Sequence, residues 1–108
     1  VLQPLINVFN ADADPMVVDA AAFALGQTCH PTALRVLMNN LQRHTAEINV
    51  AAVTVLGDVA GFRAAEALDV LIENLEGTTT AKATQLLAAA EAAKAKILAR
   101  NGSAICSS

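Results

Sequence analysis

The side chains able to do chemistry in this sequence are few and scattered. Cys29 and His30 are adjacent, which raises the chemistry of a thiol activated by an imidazole. Neighbours on a turn point apart, so the two do not read as a catalytic dyad. His30 and His44 have no matched partner at ligand spacing and read as structural or solvent-exposed, with no metal centre. Asp12, Asp14 and Asp19 are of the type that holds calcium, but they spread over a loop and a helix start, and capping explains Asp14. Cys29 and Cys106 allow one bridge; far apart and without metal-type spacing, they read as two reduced thiols of a cytoplasmic protein. The sequence shows no glycine-rich phosphate loop, no GxSxG and no paired-carboxylate constellation. The reading is therefore a chain with no catalytic residue and no cofactor, more a binding protein than an enzyme.

The elements that position these residues follow from composition. The chain has 108 residues, enough for one core. It is 55% hydrophobic but 3% aromatic, from Phe9, Phe23 and Phe62 alone. Net charge is −3, from 7 basic and 10 acidic residues. It is too apolar for disorder, and too acidic and aromatic-poor for a nucleic-acid binder. An immunoglobulin-like sandwich would need β-branched and aromatic alternation. No membrane span is expected: the longest apolar candidate, Leu86 to Leu98, carries Glu91, Lys94 and Lys96. No signal peptide is visible. Residue 1 is valine, which suggests a segment excised or processed from a longer chain. Dense alanine and leucine point to closely packed helices.

Internal repetition organises them. Val17 to Gly26 lies over Ile48 to Gly57, a register of 31 residues. A further step of the same length reaches Thr79 to Ala88, a degraded third copy. Between them, Ala33 to Leu41 matches Ala67 to Leu75, and Val1 to Phe9 fits the same template. The order is three A–B helix pairs with short, antiparallel connections. Leu34, Leu37, Met38 and Leu41 follow the spacing of one buried helix face, as do Leu68, Leu71, Ile72 and Leu75. Asp14-Pro15 reads as a helix start, Pro31 opens the next, and Thr45 with Glu47 marks another. Helices are expected near 1–10, 15–28, 31–43, 46–60, 63–76 and 79–100. The repeats run about 1–30, 31–61 and 62–100, and 101–108 is a flexible tail. Gly26 and Gly57 sit inside the B helices, where glycine costs about 1 kcal/mol against alanine. Their recurrence predicts a neighbouring helix crossing with no room for a Cβ.

The string Val17, Ala21-Ala22, Ala24-Leu25-Gly26, repeated with that period, resembles the HEAT-like repeats named after phycobilisome lyases. In that family the second helix of each repeat ends in Ala-Leu-Gly. The resemblance covers about residues 1 to 100 and implies an all-α fold, an α-α superhelix (solenoid) of about three helix pairs. The family usually has arginine after the first valine of the B helix, where this chain has Val18, Asn49 and Thr80, and Ala88 replaces the last glycine. The resemblance implies either a non-enzymatic scaffold or part of a bilin lyase or bilin-handling protein acting on phycobiliproteins.

By the same resemblance the B helices line a concave face that takes a protein or peptide partner. With 17, 21, 24, 25 and 28 as core positions, the open stripe is Met16, Asp19, Phe23 and Gln27 on the first B helix. It continues as Glu47, Val50, Thr54 and Asp58, then Lys82, Gln85 and Ala89. Phe23, Thr54 and Gln85 should form one row, with Phe23 beside Met16 as the anchor. Lys82, Lys94, Lys96 and Arg100 give the last helix a basic character that complements its dipole. No polar repeat precedes Leu2, Leu5, Ile6 and Phe9, so this end is expected to be covered by more chain or by a second copy.

Overall fold

The computed structural model describes residues 2–106. Val1, assigned above to the first helix, and Ser107 and Ser108, assigned to the tail, lie outside the described residues. The elements are α1 (Leu2–Ala11), α2 (Pro15–Thr28), α3 (Pro31–Asn40), α4 (Val50–Val59), α5 (Phe62–Leu75) and α6 (Ala81–Ala99), with a 3-10 turn at Thr45–Glu47. No strand occurs among the described residues.

Local chemistry fixes most starts. The Asp14 carboxylate accepts from the Met16 amide at 2.9 Å, and Pro15 occupies the first helical position. His30 Nδ1 accepts from the Thr32 amide at 3.1 Å, so this imidazole caps α3. Thr80 Oγ1 accepts from the Ala83 amide and opens α6.

The fourth helix departs from expectation. It begins at Val50, with Asn49 as its cap, not near Thr45. The cause is Asn40, the buried polar residue that ends α3. Its Oδ1 accepts from the Asn49 amide at 2.7 Å, and its Nδ2 donates to the Glu47 carbonyl at 3.4 Å. These bonds hold the chain extended into Asn49, so residues 45–47 make only one tight turn.

The helices form two layers. In one, α4 lies between α2 and α6; in the other, α1 touches α3, while α5 packs chiefly on α6. The smallest dimension is 17 Å, about the depth of two packed helix layers. Leu25, Leu37, Leu56, Leu68, Leu86 and Ile97 are fully buried between them. On α2 the buried residues are Ala21, Ala22, Leu25 and Gly26, whereas Val17 and Thr28, expected in the core, are exposed. The stripe is rotated because α2 must face α4 as well as the other layer.

Both repeated glycines meet the next helix of their layer. A methyl on Gly26 would overlap Val55 Cγ1 of α4, and one on Gly57 would lie 2.5 Å from the Ala93 Cα of α6. Ala88, where the third glycine would stand, is exposed. No other helix among the described residues crosses it, so a Cβ is tolerated there.

The end of α4 is completed by the segment after α6. Arg100 donates to the carbonyls of Gly57 (3.0 Å) and Ala60 (2.7 Å). The amides of Ile105 and Cys106 both donate to the Val59 carbonyl at 3.0 Å. Carbonyls that a helix end leaves unpartnered are thereby satisfied. Cys106 is buried and joined by a disulfide to Cys29, the left-handed cap of α2. Two expectations are corrected here. The thiols are paired, not reduced, which removes the ground for a cytoplasmic reading. The described part of the tail, 101–106, is held along α4 where a frayed end was expected.

Candidate interaction surface

The middle helix defines the open side of the α2–α4–α6 layer. On α4, only Val50, Thr54, Asp58 and Val59 keep solvent contact; the other residues are buried. The first three are the stripe read from the sequence. On α2, Met16 is 80% and Phe23 45% exposed, with Asp19 and Gln27 exposed beside them. On α6, Gln85 is exposed and Lys82 half-buried. Glu47 is exposed but sits on the 3-10 turn, not on a helix. Its helical placement above fails for the reason already given, the Asn40 bonds.

Two polar contacts stitch this side. Asn49 Nδ2 donates to Asp19 across 30 residues, at 3.1 Å. Asn49 stands where the resemblance would put arginine, so an amide–carboxylate bond fills that rung. Lys96 Nζ reaches Asp58 across 38 residues, at 2.7 Å. The second separation exceeds the first by about two helical turns. The Gly57–Ala93 contact spans 36 residues where Gly26–Val55 spans 29, again a difference of about two turns. So α6 keeps its face but is slid along its axis relative to a strict repeat. Lys82 and Gln85 belong to the first two turns of α6, the helix that contacts the 3-10 turn. Sequence reading missed Asn49 and Lys96 as the stitching residues. Their only signal was opposite polarity at the edges of the stripe.

At the N-terminal end, Ile6 and Phe9 are buried, and Leu2, Leu5 and Val8 half-buried. Gln3, Pro4, Asn7 and Asn10 are exposed, with Gln3 Nε2 donating to Asn7 Oδ1 at 2.9 Å. The apolar stripe of α1 packs chiefly on α2.

A second concavity lies elsewhere. Where α3 and α5 part, a groove of about 610 Å³ opens between them and the segment after α6. Leu34, Arg35 and Met38 form one wall, Phe62 and Arg63 the other, and the Cys29–Cys106 bridge closes one end. The sequence reading put Leu34 and Met38 on a buried helix face and gave Arg35, Phe62 and Arg63 no role. Their one signal was Phe62, an aromatic at a helix start, which is 60% exposed.

Among the described residues no cluster of His, Cys, Asp or Glu could hold a metal ion, and no helix is long and apolar enough to cross a membrane. Stacked antiparallel helix pairs, with glycines at each crossing and one layer open to solvent, define a helical-repeat protein. The chain matches the model of the HEAT repeats over residues 2–94 and belongs to that family. No curated protein and no solved structure matches it.

Proposed function

We propose that this domain is a non-enzymatic interaction module that holds a protein or peptide partner on the open side of α2, α4 and α6. HEAT repeats are commonly protein-interaction scaffolds, and the residues here are spent on stacking. The observation that carries the reading is the exposure of Met16 and Phe23 on one face of α2. An adaptable methionine beside an aromatic is the composition of a binding anchor. Asp19, Gln27, Val50, Thr54 and Asp58 supply the rim, and Glu47, Lys82 and Gln85 extend it toward the 3-10 turn. The test is capture of partners by the wild-type protein and by Phe23→Asp, with circular dichroism to show equal folding. Loss of specific partners in the variant is expected; identical partner sets would remove this face as the site.

The narrower kinship with phycobilisome lyases rests on the Ala24-Leu25-Gly26 and Val55-Leu56-Gly57 endings alone. Under it, the same face would handle a linear tetrapyrrole or a phycobiliprotein. Incubation with phycocyanobilin, alone and with an apo-phycobiliprotein, separates the two. A red shift or induced circular dichroism supports the bilin reading; an unchanged spectrum in both mixtures ends it.

A further inference from the structure

The basic side chains are not equally free. Lys94 and Lys96 pair with Asp69 and Asp58, and Arg100 is spent on the carbonyls that end α4. Arg35 and Arg63 have no carboxylate partner among the described residues, and both line the groove between α3 and α5. No acidic residue lines that groove, although the chain as a whole is acidic, with net charge −3. Between the two guanidinium groups the walls are apolar: Leu34, Met38 and the exposed ring of Phe62. The volume lies within the ~300–1,000 Å³ range of ligand-binding clefts.

We propose that this groove is a second docking site, for an extended segment of a partner protein in which acidic and apolar residues alternate. In an extended chain alternate side chains point to opposite sides, and each wall carries both an arginine and an apolar side chain, Arg35 beside Leu34 and Met38, Arg63 beside Phe62, so both sets find a partner. A guanidinium presents a planar fork that takes a carboxylate bidentately. Leu34, Met38 and Phe62 supply apolar area, and methionine adapts to side chains of different shape. The amide side chains of Asn39 and Gln42 also line the groove and can donate to and accept from an extended backbone. The site is separate from the face carrying Phe23: it lies on α3, α5 and the segment after α6, and uses none of the residues proposed above.

Fluorescence anisotropy with labelled synthetic peptides tests it. The probes are a short peptide alternating Asp with Leu, its Asn-for-Asp counterpart, and a Lys-for-Asp counterpart. The acidic peptide is expected to bind at least ~10-fold more tightly than the other two, the scale set by one charge-assisted hydrogen bond. Arg35→Ala and Arg63→Ala should each weaken it ~10-fold without changing the melting transition. Phe23→Asp should leave it unaltered, which keeps this site distinguishable from the other face. Equal affinity for the Asn peptide, no detectable binding of the acidic one, or indifference to both arginine changes overturns the proposal. So does a concentration-dependent dimer in sedimentation that Arg63→Ala abolishes, because the groove would then belong to a second copy.

Discussion

Glycine at one repeat position should have three different consequences, depending on what crosses it. At Gly57 an added methyl would lie 2.5 Å from the Cα and Cβ of Ala93. Carbon atoms in contact prefer about 3.5–4.0 Å, so α4 and α6 would have to separate by about 1 Å. Overpacking of this kind costs about 1–3 kcal/mol, and the helix-propensity gain of alanine returns at most about 1 kcal/mol. Gly57→Ala is therefore expected to lose about 1–2 kcal/mol net. At Gly26 the obstacle is Val55 Cγ1, a side-chain methyl, so Gly26→Ala should be milder. Val55→Ala should rescue it, with a coupling of at least about 0.5 kcal/mol in a double-mutant cycle. Ala93→Gly should not rescue Gly57→Ala, because the backbone Cα remains in the way. Ala88→Gly, on the exposed side of α6, should cost about 1 kcal/mol through propensity alone. Urea unfolding of these single and double variants measures this, with thermal shifts of about 4–8 °C per kcal/mol as a check. A Gly57→Ala protein as stable as wild type would refute the explanation of the recurrent glycine.

Three further outcomes follow from the same contacts. The Cys29–Cys106 bridge spans 77 residues, and chain entropy sets its contribution at up to about 4.5 kcal/mol; urea midpoints that stay put on adding reductant would contradict a stabilising bridge. Asn40→Leu leaves the Asn49 amide without its acceptor at the entrance to α4 and should cost about 1–3 kcal/mol, read by chemical unfolding. Phe23→Asp should change unfolding stability by no more than about 0.5 kcal/mol, since the ring is largely outside the core; a larger loss would reassign Phe23 from the surface to packing.

The helix pairs were legible because their signals are local. Asp14-Pro15 and Pro31 mark starts by side chains adjacent to the helix they open. The start of α4 was not legible in this way. Thr45 and Glu47 look like an entrance, but the residue that sets it, Asn40, belongs to the preceding helix and acts through two bonds to the connection. The bridge was illegible for a similar reason. Nothing near Cys29 or Cys106 in sequence announces the pairing. The two meet because α2 ends, and the chain after α6 returns, beside the same end of α4, where Arg100 and the amides of Ile105 and Cys106 find acceptors. The groove follows from tertiary placement too. Neither Arg35 nor Arg63 is notable in its own helix, and only the parting of α3 from α5 brings them to one cleft.

The third repeat shows where periodic reading stops. A helix extended by about two turns presents nearly the same residues to the same side, because seven residues bring the wheel back to within about 20°. The predicted stripe on α6 therefore keeps its direction while its level moves. That is why Lys96 reaches Asp58 and Ala93 meets Gly57. Beside the exposed anchor on α2, the open side of α4 offers Val50, Thr54 and Asp58, and α6 carries Lys82 and Gln85 in its first two turns. A partner laid on this face would make apolar contact at Met16 and Phe23 and polar contact at Thr54 and Gln85, all of them open to solvent.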